Sequence, residues 1–126
     1  MTQAEQERRT PQQALGAYGE RVALCFLERA GMVLLDTNWR CSEGELDLVL
    51  LDDRVLVVCE VKTRTGDGGA GPHEAITPTK LDRLQRLAER WQVEHGVRAP
   101  EVRIDLVAVH HPRRGAARVE HVRGLV

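Results

Sequence analysis

Gly-Glu-Leu-Asp-Leu-Val-Leu-Leu-Asp-Asp-Arg-Val-Leu-Val-Val-Cys-Glu-Val-Lys-Thr-Arg, residues 44–64, is the stretch whose reading decides the fold. Two apolar runs flank Asp52, Asp53 and Arg54, the pattern of two strands joined by a tight turn. Strand residues alternate faces, so Glu60 and Lys62 share one side while Val57, Cys59 and Val61 face the other and enter a core. Three charges, Asp47, Glu60 and Lys62, lie within or at the ends of these runs. An unpaired buried charge is costly, so they must be paired with each other, placed at the sheet's edge, or bound to a metal.

An aspartate on one strand and a Glu-x-Lys on the next can meet at one end of a hairpin. Carboxylates held that close repel unless a cation lies between them, and oxygen-only ligands select Mg²⁺ or Mn²⁺ over zinc. Such an ion polarises a phosphoryl oxygen and acidifies a bound water, which is the chemistry of phosphodiester hydrolysis. Lys62 is placed to orient that water or to balance charge on the phosphate. Spacing alone leaves a second reading open, in which a Glu60–Lys62 or Asp47–Lys62 ion pair merely caps the hairpin.

Downstream, residues 65–77 carry four glycines and a proline within 66–72. They read as a mobile loop beside the charged strand end, either a substrate clamp or a plain connection. Thr77-Pro78 then opens a helix running to about His95 and stopping at Gly96. Leu81, Leu84, Leu87, Ala88 and Trp91 form its buried stripe. Lys80, Arg83, Arg86 and Arg90 gather on one flank that can follow a phosphate backbone or simply face solvent. Residues 101–110 alternate as a fourth strand, Pro112-Arg113-Arg114-Gly115 is a basic turn, and residues 117–122 make a short closing strand.

Upstream, residues 1–12 read as a flexible polar segment and 13–126 as a single domain. Residues 13–30 are helical, with Leu15, Tyr18, Val22, Cys25 and Phe26 as the main apolar stripe. A second ridge, Gly16–Glu20–Ala23–Leu27, carries a glutamate that reads as solvated on the helix alone. Gly16 and Gly19 allow a close neighbour. Met32–Leu35 is a first strand continuing loosely through Asn38-Trp39-Arg40. Helix, three strands, helix and one or two strands make an α/β domain with a central mixed sheet flanked by helices.

Composition narrows the function. At 126 residues with 42% hydrophobic content, the chain builds one real core without staples. One Phe, one Tyr and two Trp leave few platforms for stacking single-stranded bases. Three cysteines without Cys-x-x-Cys spacing argue against zinc and for a reducing, cytoplasmic setting, with Cys25 and Cys59 as small buried hydrophobes. No apolar run is of membrane-spanning length, so no membrane role is expected. The net charge of −1 does not advertise nucleic-acid binding, so any such role depends on where the charges sit.

Gly44-Glu45-Leu46-Asp47-Leu48-Val49 and Val58-Cys59-Glu60-Val61-Lys62-Thr63-Arg64 resemble the signature of the YraN-type family, within the restriction-endonuclease-like PD-(D/E)xK superfamily. The similarity extends to Gly19-Glu20, Asn38-Trp39-Arg40, Ala75-Ile76 with Lys80, and Arg103-Ile104-Asp105. Leu46 stands where the superfamily's name has proline. Within that superfamily the chain is similar to archaeal-type Holliday-junction resolvases. The resemblance implies a restriction-endonuclease-like core and a Mg²⁺-dependent endonuclease acting on structured or branched DNA in repair or recombination. It implies Glu20, Asp47 and Glu60 as the acidic residues around Mg²⁺ (or Mn²⁺), Lys62 as the catalytic lysine, and a homodimer. Glu45 becomes a candidate for the metal's outer shell. Arg64, Lys80, Arg83, Arg86 and Arg90 are the expected nucleic-acid contacts. Asp105 matches a family position and pairs most simply with Arg103 or Arg40. The rival readings are a non-catalytic nucleic-acid-binding module and a protein-interaction subunit on the same scaffold.

Overall fold

The computed structural model describes residues 10–66 and 76–126. Residues 67–75 of the loop read as a clamp or a plain connection, and most of the N-terminal segment, lie outside the described residues. Helix α1 (Pro11–Arg29) is followed by strands β1 (Val33–Cys41), β2 (Gly44–Asp52) and β3 (Val55–Thr65). Helix α2 (Pro78–His95) and strands β4 (Glu101–His111) and β5 (Arg118–Val122) complete the order. The five strands form one sheet in sequence order, antiparallel except for the β3–β4 pair, which is parallel across the α2 crossover. The result is the expected α/β architecture: a mixed sheet flanked by two helices, consistent with a restriction-endonuclease-like core.

Each face of the sheet carries its own core. Leu48, Leu50, Val57, Cys59, Val107 and Val109 pack under Ala23 and Leu27 of α1. Val49, Leu56, Val58 and Ile104 pack under Leu84, Leu87, Ala88 and Trp91 of α2. A sheet covered on both faces explains why β2 and β3 read as near-continuous apolar runs. The turn between them is as tight as expected, with Asp53 at φ 56, a left-handed conformation that a short polar side chain tolerates. Helix α2 stops at Gly96, whose φ of 64 suits a residue without Cβ. Trp91 Nε1 donates to Asp36 Oδ2 at 2.9 Å and ties α2 to β1.

Three expectations change. Helix α1 starts at Pro11, within the segment read as flexible, because Thr10 and Gln13 form a reciprocal capping box. Its buried ridge is Gly19, Ala23 and Leu27, while Cys25 and Phe26 are exposed, so Cys25 is not the small buried hydrophobe it resembles. Apolar residues on both flanks hid which stripe meets the sheet. A Cβ on Gly16 would meet no other element within 4 Å among the described residues, whereas one on Gly19 would overlap Thr63 Oγ1. β1 is one nine-residue strand, broken in register between Leu34 and Asp36. It lies at the edge of the sheet with Val33 and Leu35 exposed, and its polar run 36–38 disguised its length.

Candidate active site

The antiparallel ladder of β2 and β3 runs from Asp52↔Val55 to Leu48↔Cys59 and ends one step short of Asp47 and Glu60. Continued, it would set two carboxylates directly opposite each other, a repulsive pair in a sheet. Instead Asp47 Oδ2 accepts the Val61 amide at 2.9 Å. Leu46 and Val49 both join the core under α2, so strict alternation breaks between them, at Asp47. The diverging strands leave a cavity of about 200 Å³ lined by Gly44, Glu45, Asp47, Glu60, Lys80, Arg83, Leu84 and Leu87.

Burial raises the Asp47 carboxyl most, and the negative charge of Glu60 raises it further. The Val61 amide pulls the other way, Glu20 and Glu45 add to the rise, and the group is pushed up to about 7. Three carboxylates, Glu60, Glu20 and Glu45, therefore act on Asp47. Glu60 is only 14% exposed, and its Oε1 meets Lys80 Nζ at 2.8 Å. The cation that the sequence sought within the hairpin comes from the first turn of α2. Lys62 is exposed and makes no ion pair among the described residues. Neither hairpin ion pair that spacing left open, Glu60–Lys62 or Asp47–Lys62, forms among the described residues.

Glu20 reaches this end of the sheet because Gly19 lets α1 close on Thr63 of β3. Asn38, at φ 50 on β1, donates to both Glu20 carboxylate oxygens, at 3.1 and 2.9 Å, once its amide nitrogen is turned toward them. Arg40 Nε pairs with Glu45 Oε2 at 2.6 Å. Sequence reasoning missed Asn38 as the partner of Glu20. The available signal was a polar residue with left-handed tendency inside a strand.

The donor set fits a hard divalent cation: Asp47 and Glu60 supply oxygen ligands on one cavity, and their mutual repulsion favours a positive guest. Among the described residues no three acidic, histidine or cysteine groups converge closely enough to hold a metal ion. An ion here would draw its remaining ligands from water and phosphate, as Mg²⁺ commonly does.

The basic flank of α2 is divided. Lys80 serves Glu60, and Arg83 lines the cavity. Arg90 donates to Ser42 Oγ at 3.3 Å and lies 3.9 Å from Glu43 Oε1, while Arg86 faces solvent. Arg64 is half-buried at the end of β3. Asp105 is far from idle. Fully buried, it accepts from Arg103 Nε at 2.9 Å and Arg103 Nη2 at 3.1 Å, from the Gly124 amide at 3.0 Å, and meets His121 Nε2 at 2.8 Å. Burial alone would raise its carboxyl, but the Arg103 hydrogen bonds, with those from Gly124 and His121, hold it below the ordinary value of 3.8. The pairing with Arg103 is the simple one expected, and Arg103 also reaches Asp52 Oδ2 at 3.0 Å.

The profile of the uncharacterised protein family UPF0102 matches residues 19–109, which span every acidic and lysine position of the cavity. The chain belongs to this family. A UPF0102 protein of Nocardioides sp. is 58% identical over 113 residues, covering 90% of this chain and 91% of the relative. One from Beutenbergia cavernae is 57% identical, covering 89% and 95%. One from Streptomyces coelicolor is 55% identical, covering 89% and 88%. This UPF0102 chain has no helix, among its described residues, long and apolar enough to cross a membrane.

Proposed function

We propose that this UPF0102 protein is a metal-dependent nuclease that hydrolyses phosphodiester bonds in structured or branched DNA. The observation that carries the reading is the pair Asp47 and Glu60 on one cavity that Lys80 and Arg83 also line, with the Asp47 carboxyl pushed up to about 7. The similarity of residues 44–49 and 58–64 to the PD-(D/E)xK signature, and to Holliday-junction resolvases, supports the same reaction class. Mg²⁺ or Mn²⁺ would be held by Asp47 and Glu60, with Glu20 completing the acidic surround. When bound it supplies Lewis acidity toward a phosphoryl oxygen and a more acidic water. Lys62, on the same face as Glu60, orients the attacking water and balances developing charge. Lys80 and Arg83 meet the non-bridging phosphate oxygens, and the Val61 amide fixes the Asp47 carboxylate. A cytoplasmic homodimer accompanies the same reading.

One observation favours a second reading: Lys80 already neutralises Glu60 from within the chain. A nucleic-acid-binding module or protein-interaction subunit would need no more. Cleavage of a four-way junction, flap, duplex, single strand and structured RNA with Mg²⁺ or Mn²⁺ separates the two. Metal-dependent cutting by the parent protein, lost in Asp47→Asn and Lys62→Ala, is the expected result. No cutting, with no metal uptake by calorimetry, overturns the nuclease reading.

A further inference from the structure

Strand pairing fixes which side chains share the face of Glu60. Glu60 pairs with Leu106, Lys62 with Ala108 and Arg64 with His110 across the parallel β3–β4 ladder. On the next ladder Leu106 pairs with Val122, Ala108 with Glu120 and His110 with Arg118. Directly paired residues point to one side of a sheet. Val107 and Val109 sit in the core under α1, so the even-numbered residues of β4 belong to the opposite face, the one that carries Glu60. Beyond the cavity this face therefore presents a row of Arg64, His110 and Arg118, one cation-bearing or polar side chain from each of three adjacent strands.

The row is built rather than scattered. Arg118 Nη2 donates to His110 Nδ1 at 2.9 Å, which aims an exposed guanidinium along the row. The β4–β5 turn adds exposed Arg113 and Arg114 at the same sheet end. Residues 106–119 contain three arginines and no carboxylate, in a chain whose net charge is −1. Glu120 stands in the row between, opposite Ala108. On α2, Lys80 and Arg90 face the chain's own Glu60 and Glu43.

We infer that the Arg64–His110–Arg118 row and the Arg113-Arg114 turn grip the phosphate backbone of the DNA flanking the bond at Asp47 and Glu60. The strand thus crosses the ends of β3, β4 and β5 rather than running along α2. The inference rests on the nuclease reading for the chemistry at Asp47, and adds the surface and direction of approach. Four residues of strand separate this row from the level of Glu60, roughly 13 Å. The row acts as a positioning surface.

Binding of a labelled four-way DNA junction, measured against salt, tests this in the Asp47→Asn background, where cutting plays no part. Adding Arg113→Ala, Arg114→Ala and Arg118→Ala should weaken Kd at least tenfold. It should also lower the slope of log K against log salt by about 3, near one per lost phosphate contact. Arg86→Ala should change Kd less than twofold. Unchanged thermal melting of the triple variant keeps the loss assignable to the surface. No junction binding by the parent, or full binding by the triple variant, overturns the inference. Junction binding through this surface without any metal-dependent cutting by wild type would instead sink the nuclease reading alone.

Discussion

At the scale of single residues, Asp47 governs how pH acts on the protein. Its folded carboxyl keeps a proton up to about 7, whereas the ordinary value is 3.8. Between those values the folded state holds more protons than the unfolded one, so this group makes stability fall as pH rises. Asp47→Asn keeps an oxygen for the Val61 amide and removes the charge. We expect it to melt a few degrees above wild type at pH 8 in metal-free buffer, with the gap closing near pH 4. Equal melting at both pH values would contradict the repulsion described. Asp105 behaves in the opposite sense. Its lowered carboxyl contributes stability that is present above the ordinary 3.8 and is lost as pH falls through its folded value. Asp105→Asn leaves Arg103 half-served in a buried network and should cost about 3 kcal/mol in chemical denaturation.

Lys80 belongs to the same scale. A divalent ion entering the cavity must share Glu60 with its ammonium. A partly exposed pair of this kind is worth up to about 1 kcal/mol. Lys80→Met is therefore expected to bind Mn²⁺ about fivefold more tightly by calorimetry, while cutting more slowly for want of a phosphate contact. Unchanged Mn²⁺ affinity would mean the pair and the ion do not compete.

Among the elements, the approach of α1 to β3 sets the position of Glu20. A Cβ on Gly19 would overlap Thr63 Oγ1 and stand 2.8 Å from Thr63 Cβ and 2.9 Å from Thr63 Cγ2. Gly19→Ala should cost about 1–3 kcal/mol as the helix is pushed off the sheet. Adding Thr63→Gly should recover part of that loss, because all three conflicting atoms leave together. Two independent, additive losses in a double-mutant cycle would show that the contact is not the cause. The other helix was easier to read. Thr77, Pro78 and Gly96 bracket α2 as expected, because capping chemistry is local. The capping box at Thr10 and Gln13 was equally local, and it marks the helix start that the polar composition of the first residues concealed.

Across the whole molecule, the sheet and its flanking helices were legible because burial writes period-two and helical patterns into the chain. The shared face of Glu60 and Lys62 followed from the same alternation, and their neighbours Val57 and Cys59 do enter the opposite core. Lys80 as partner of Glu60 was not legible, since it depends on how α2 docks across the sheet. Nor was the contact of Asn38 with Glu20, which joins β1 to α1. Single-strand patterns record which side a residue faces, and they carry no information on which element arrives there.

The two tryptophans of the chain are Trp39 and Trp91. Trp91 is buried in α2 with its indole bonded to Asp36, and Trp39 packs against the same cluster. All indole emission therefore originates in the layer between α2 and the sheet, beside the cavity. Intrinsic fluorescence becomes a one-sided optical probe: it registers loosening of α2 and is nearly blind to α1. Its disagreement with circular dichroism during melting would reveal the two layers separating at different temperatures.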